Sequence, residues 1–306
     1  MIGIVVVVYK SYERIVTYVW QELTKISLPH RTVIVDVGSP RESSERIAQA
    51  LGVSVWQEGM AADGELFVLH SDENLGYARG NNLGADFLMR LFPDIDKLLF
   101  SNDDIELISP NVVEVLAARM DDDASIGCIG PKVVDLQNRP RMPNYHEPSL
   151  CSRTIQNITE PIFGAGYFDR KQDEIVETGK VQCLEGCFIL VRKEAFQKVE
   201  GFDKRTFLYW EEAILCKRLQ RIGQNTYCNA SVTVKHFVGN SVKKHSPVLL
   251  LLQCELFGQR LYFKEYAKVS YVSYAMLWLS GEVRLLLVRL AMMKRRLLRK
   301  DRTGER

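Results

Sequence analysis

The sequence predicts an α/β fold, with an open, mostly parallel sheet carrying helices on both faces and a helical region after it. Three observations predict this. Short β-branched runs alternate with helix-period segments through the first half of the chain. Those runs are apolar throughout rather than alternately polar, as in strands buried on both faces. A length of 306 residues, 46% hydrophobic and 25% charged, suffices for one large domain and a smaller appendage.

Residues 2–9 read as the first strand. The start MIGIVVVVYK lacks a cationic n-region and its apolar run is too short for a signal peptide. A helix is expected over 12–26, a strand over 32–36 (TVIVD) and a helix over 41–51 that stops at Gly52. A strand over 66–69 precedes a helix over 78–92, which Pro93 terminates. KLLFS at 97–101 is another buried strand. Ligands of such sheets bind at the carboxyl ends of strands, where Asp36, Asp103 and Asp104 fall. Residues 139–180 carry Pro, Asn and Gly and read as a long loop or lid. A strand returns at 187–192, then a helix over 211–222 closed by Gly223.

The net charge of +2 excludes a chain-wide nucleic-acid surface. Seven cysteines without a CxxC pair read as free thiols of a cytoplasmic protein.

Four segments carry chemistry, each with a plain structural alternative. Asp103 and Asp104 can divide their work, one accepting ribose hydrogen bonds and one holding a divalent cation, or can simply cap a loop. The Gly/Asn-rich segment 73–84 presents backbone N–H groups to an anion, or is a strand-to-helix turn. Glu211 and Glu212, after FLYW, offer a general base, or favour the helix dipole. His236 follows a short strand as a metal or diphosphate ligand, or as a structural histidine.

Seven segments in order — VVVVY, VIVDVGS, ENLGYARGNN, LLFSNDD, EGCFILVRKEAFQKVEGFD, FLYWEEAILCKRLQRIG and KHFVGNS — resemble family 2 glycosyltransferases, especially their bacterial rhamnosyltransferase-like branch. The resemblance implies a GT-A fold and inverting transfer from a nucleotide-sugar donor, with Mg²⁺ or Mn²⁺. It implies that Asp36 contacts the base and that Asp103 lies near ribose and diphosphate. Tyr9, Ser39, Asn74, Gly76, Arg79 and Asn82 join them as donor contacts. Asp104 becomes the metal acid of a DXD-like motif, His236 its partner, and Glu212, ahead of Glu211, the base. Four positions depart from the family: Lys10 replaces Asn, Val37 interrupts Asp-Asn, and Ile214 replaces an acid. The fourth is Glu212, where Glu replaces Asp and displaces the carboxylate by on the order of 1 Å.

The domain expectation is a catalytic region over 1–245 and amphipathic helices over 246–306. Charges at Glu255, Arg260, Lys264, Lys268, Glu282, Arg284 and Arg289 interrupt any membrane-spanning stretch. Lys294, Arg295, Arg296, Arg299 and Lys300 suit an anionic membrane surface. A hairpin packed on the catalytic region or on a homodimer partner is the alternative. The expected acceptor is a glycan or polyprenyl-linked hydroxyl at the inner face of the cell membrane. A nucleotidyltransferase and an inactive glycan-binding relative are the competing classes.

Overall fold

A computed structural model describes residues 1–141, 148–164, 176–237 and 247–303, with side chains of the last helix described as far as Lys294. The chain forms two compact units. Met1–Glu147 with Gln172–His245 is one, and Pro148–Lys171 with Ser246–Arg306 the other.

The first unit is built on nine strands: β1 Ile2–Val8, β2 His30–Val37, β3 Leu66–Ser71, β4 Lys97–Ser101, β5 Ile105–Leu107, β6 Ile126–Val134, β7 Gly179–Val181, β8 Phe188–Arg192 and β9 Asn225–His236. Their order is β3-β2-β1-β4-β8-β6-β9-β5, with β7 paired to β9. β1 to β4 pair in parallel, β8 is antiparallel to both β4 and β6, and β6 is parallel to β9. β5 and β7 run against β9, so six strands share one direction and three oppose it.

Helices α1 Tyr12–Gln21, α2 Arg41–Ala50 and α4 Val112–Asp122 cover one face. Helices α3 Gly76–Leu91, α6 Lys193–Lys198 and α7 Glu211–Arg221 cover the other. β1 shows why its run is apolar throughout. Ile2, Ile4, Val6 and Val8 enter the first core with Ile15, Ile47 and Leu116. Val5 enters the second with Ala85, Phe87 and Phe196. Each such buried aliphatic chain contributes ~1.5–3 kcal/mol.

α3 lies unusually close to the sheet. A Cβ at Gly80 would stand 2.8 Å from a Val7 methyl, and one at Gly84 2.5 Å from a Val5 methyl. Those glycines of the Gly/Asn-rich segment therefore serve helix-to-sheet packing.

The second unit contains α5 Leu150–Phe163, α8 Val248–Leu261, a π turn at Tyr262–Tyr266 and α9 Tyr271–Thr303. α5 lies where a loop or lid is expected, and Ser149 caps it by accepting from the Ser152 N–H at 3.3 Å. Its pattern is hard to read because polar Gln156 and Asn157 are buried while Ile155, Ile158 and Ile162 are exposed. No helix among the described residues is long and apolar enough to cross a membrane.

Candidate active site

β1 is flanked by β2 on one side and β4 on the other, so the strand order reverses there. In open sheets ligands bind beyond the carboxyl ends of the strands at such a reversal, here those of β1 and β4. The loop leaving β1 turns through Lys10 at φ 51°. This is the left-handed region, which asparagine, the resembled family's usual residue here, adopts more readily than lysine. The Lys10 N–H donates to Ser39 Oγ at 2.9 Å, tying this loop to the one after β2. Tyr9 packs against the second core with the Lys10 ammonium 5.0 Å above its ring.

The carboxylates at these strand ends are withdrawn from water. Asp36 is fully buried and accepts from Ser44 Oγ at 2.8 Å. Burial lifts its carboxyl above the ordinary range, and the hydroxyls of Ser39 and Ser44 oppose the rise. Asp103 accepts a short hydrogen bond from Ser11 Oγ. Burial pushes Asp103 up to about 6, against the Ser11 bond and the Arg14 charge and with the Asp104 charge reinforcing it. Arg14 lies 4.0 Å from Asp103 and 3.7 Å from Asp104.

His236 reaches this cluster through the sheet. It closes β9 and pairs with Ile105 of β5, the residue after Asp104. Its Nε2 is 3.2 Å from Asp104 Oδ1, which is otherwise buried without a hydrogen-bond partner. Its Nδ1 is 3.2 Å from Glu185 Oε1, and Arg141 Nε holds that oxygen at 2.7 Å. Burial disfavours the imidazolium, but Cys187, Asp104 and Glu185 override it and push His236 up to about 12. With the Asp104 and Glu185 carboxylates beside it His236 holds its proton, and a cation taking Nε2 as a ligand would displace that proton. Two ligands at right angles and ~2.1 Å from a metal stand ~3.0 Å apart, close to the Asp104–His236 spacing.

Glu185, Cys187 and His236 offer a second set of donor atoms, all within 4.8 Å of one another. Burial pushes the Cys187 thiol up to about 11, with the Glu185 charge adding to the rise, and its soft sulfur suits Mg²⁺ or Mn²⁺ less well than oxygen or imidazole nitrogen does. Asp104 with His236 is the better oxygen–nitrogen pair for Mg²⁺ or Mn²⁺.

Glu211 and Glu212 open α7 after Tyr209 at φ 73° and Trp210 at φ 74°. Two successive left-handed side-chain-bearing residues cost ~1–3 kcal/mol each and persist only where packing enforces them. The two glutamates then diverge. Glu211 is 2% exposed and its Oε1 has no partner. Burial, then the Glu212 charge, hold the Glu211 carboxyl well above the usual range. Glu212 is half-buried and lies against Gly186, where an added Cβ would come within 3.2 Å of the Glu212 Cβ. Tyr77 Oη donates to the Gly186 carbonyl at 2.5 Å. The stretch Glu185, Gly186, Cys187 thus joins the His236–Asp104 cluster to Glu212.

The segment entering α3 uses its amides internally. The Gly76 N–H donates to Asn74 Oδ1 at 3.1 Å and the Tyr77 N–H to the Phe207 carbonyl at 2.8 Å. Gly76, at φ 69°, lies against that same carbonyl, leaving no room for a side chain. Asn82 gives Nδ2 to the Phe202 carbonyl and accepts the Phe202 N–H, both at 2.9 Å. Its amide is engaged by the main chain. Arg79, half exposed, pairs with Glu73 at 3.4 Å.

Ser11, Arg14, Arg141 and Glu185 belong to the cluster without having been anticipated as site residues. Glu185 alone had a signal, its place in the EGCF segment. Residues 238–241, the rest of the H-x-x-G-x-S segment, lie outside the described residues.

Residues 2–247 match the family model described as glycosyltransferase like family 2. The chain belongs to that glycosyltransferase family. An N-acetylglucosaminyl-diphospho-decaprenol L-rhamnosyltransferase of Mycobacterium tuberculosis is 25% identical over 183 residues, 57% of this chain and 59% of the relative. The match therefore spans well under two thirds of that relative's length. A mannosyltransferase from Pyrobaculum calidifontis, solved with GDP-Man and Mn²⁺, superposes with a TM-score of 0.56 at 10% identity, covering 93% of this chain and 69% of that one. GalNAc-T7, solved with UDP, GalNAc and Mn²⁺, gives 0.56 at 14% identity, covering 93% and 54%. Residues 1–349 of Staphylococcus aureus TarS give 0.52 at 11% identity, covering 92% and 71%. The fold of this glycosyltransferase is GT-A.

Proposed function

We propose that this glycosyltransferase inverts configuration as it moves a sugar from a dTDP- or UDP-sugar, dTDP-rhamnose first among them, onto a glycan or polyprenyl-linked hydroxyl. One observation carries the reading: the contiguous set Asp104–His236–Glu185–Gly186–Glu212, which puts a cation site and a half-buried carboxylate in one neighbourhood. Rhamnose and a lipid-linked acceptor are supported by the mycobacterial relative's own reaction.

In this reading Asp36 and Ser39 meet the base, with Tyr9 beside them. Asp103 meets the ribose and diphosphate, and Asn74, Gly76 and Arg79 border the donor. Asp104 and His236, the latter giving up its proton, would hold Mg²⁺ or Mn²⁺, which would supply Lewis acidity toward the leaving diphosphate. Glu212 takes the proton of the acceptor hydroxyl as its oxygen attacks the anomeric carbon from the face opposite the diphosphate. The new glycosidic bond forms as the bond to the diphosphate breaks, and the electron pair leaves with the nucleotide. Glu211 is a poor base in this scheme, because a buried, protonated carboxyl has no charge with which to accept. The C-terminal helices hold the enzyme on the inner face of the cell membrane, where a polyprenyl-linked acceptor resides.

The test is a transfer assay with a panel of nucleotide sugars and Mn²⁺, on the wild type and on Asp104→Ala. Release of nucleoside diphosphate with an inverted product, lost in Asp104→Ala, is expected. Release of pyrophosphate from a nucleoside triphosphate would instead make the protein a nucleotidyltransferase, and a donor left intact under every metal would make it a binding relative.

A further inference from the structure

The unit containing α5, α8 and α9 holds a polar network in its interior and a wide apolar surface outside. Asn157 is fully buried and donates to Gln259 Oε1 at 2.9 Å and Ser280 Oγ at 3.1 Å. Arg284 reaches Glu160 at 2.5 Å, Glu255 at 3.0 Å and Asn157 Oδ1 at 3.3 Å. This network joins all three helices, beside a small apolar cluster of Leu252, Leu256 and Leu285. The outside is apolar. On α5, Ile155, Ile158, Ile162 and Phe163 are 42–59% exposed. On α9, Val272, Met276, Leu279, Leu286, Leu290 and Met293 are 50–72% exposed and follow one helical stripe. Among the described residues, 15 of the 21 exposed large hydrophobic side chains belong to this unit, so the pattern is local and not a general feature of the surface.

A helical bundle bathed only in water arranges these two sets the other way round. Charge indicates what replaces the water. Residues 248–306 hold 12 basic and 5 acidic side chains, whereas residues 1–247 hold 28 and 33. Tyr271 is 94% exposed and Trp278 45%, with Arg260 packed 5.1 Å from the Trp278 ring, an amphipathic pairing suited to a headgroup layer. A second copy of the chain is a poorer occupant. Two units carrying the same net basic charge would repel each other.

We infer that this unit inserts apolar side chains into an anionic phospholipid surface, and that α5, embedded within the catalytic sequence, is one of the inserting elements. The inference rests on the membrane reading above and deepens it from electrostatic attachment to burial of named side chains. Inserted faces of this kind sink ~5–10 Å and leave the polar interior of the unit intact.

The experiment is co-sedimentation of the full chain with phosphatidylglycerol–phosphatidylcholine vesicles, in low salt and in about 1 M NaCl, where the Debye length falls to ~3 Å. The wild type should sediment in both. Ile158→Glu/Ile162→Glu, at exposed positions, should melt like the wild type yet partition at least tenfold less. Ile158→Ser/Ile162→Ser, a milder change, should lie between the two. Equal sedimentation of wild type and both variants would overturn the role of α5. Complete release of the wild type by salt would reduce the contact to adsorption and overturn insertion. A wild type that ignores vesicles but is a dimer by light scattering, and a monomer as Ile158→Glu/Ile162→Glu, would assign the face to a second copy. Asp104→Ala should bind vesicles like the wild type, so loss of transfer there and loss of binding in the α5 variants are separate results.

Discussion

In the sheet-based unit, two apolar cores enclose the strands, and buried Asp36, Asp103 and His236 stand at or just beyond strand ends. In the α5–α8–α9 unit, ion pairs and amides lie inside beside a small leucine cluster, and many isoleucine, leucine and methionine side chains lie outside. The contrast teaches that burial of a charged group has two explanations here. Asp36, Asp103 and Glu211 hold raised carboxyl pKa values, the mark of groups whose charge is poorly compensated. Arg284 instead faces two carboxylates and an amide, a compensated network that ties helices together. In the proposed reading the first pattern, at Asp36 and Asp103, serves the donor, and the second serves architecture.

Breaking the chemical pattern should have the largest effect. Glu212→Gln is expected to lower kcat by ~10²–10⁴-fold with little change in the donor KM. Glu211→Gln should stay within severalfold of wild type, and steady-state kinetics on the pair separates them. Equal losses would place the base outside this scheme.

Breaking the architectural pattern should come next. Arg284→Met removes the cation that Glu160 and Glu255 share, and should cost ~3–5 kcal/mol by denaturant melt. Adding Glu160→Gln and Glu255→Gln to that variant should recover most of the loss, because the uncompensated charges are then gone. A smaller effect is expected in the sheet unit from Gly84→Val, where overpacking against Val5 should cost ~1–3 kcal/mol by the same measurement.

The smallest expected effect is a pH dependence. The folded Asp103 carboxyl titrates near 6, above the ordinary value of ~3.9. Its contribution therefore favours the fold at low pH and is lost as pH rises through about 6. A cation at Asp104 stabilises the ionised form, so the Mn²⁺-induced rise in Tm should be larger at pH 7.5 than at pH 5. A Tm increment that is flat with pH would separate Asp103 from the cation site.

Much of the first unit was legible in its residues. β1, β2, β4 and the helices between them follow from apolar runs, turn residues and period, because their contacts are nearly local in sequence. The later strands were less legible. β5, β6 and β9 meet by pairings that span up to a hundred residues or more, and short runs such as Ile105–Leu107 carry no period of their own. Candidate site residues at strand ends and the acid pairs could be named in advance. Their surroundings could not, since Ser11, Arg14, Arg141 and Glu185 arrive from separate elements.

Two matters were decided at the tertiary level. Side-chain chemistry alone marks Glu211 and Glu212 as equivalent neighbours, and the left-handed turn at Tyr209 and Trp210 sends one inward and leaves the other against Gly186. Composition alone marks residues 248–294 as apolar and basic, and packing with α5 decides which side faces in. Local sequence specifies strands, helices and strand-end acids because those depend on neighbours along the chain. Which of two adjacent carboxyls is buried, and which face of a helix meets water, depends on groups brought together from far apart.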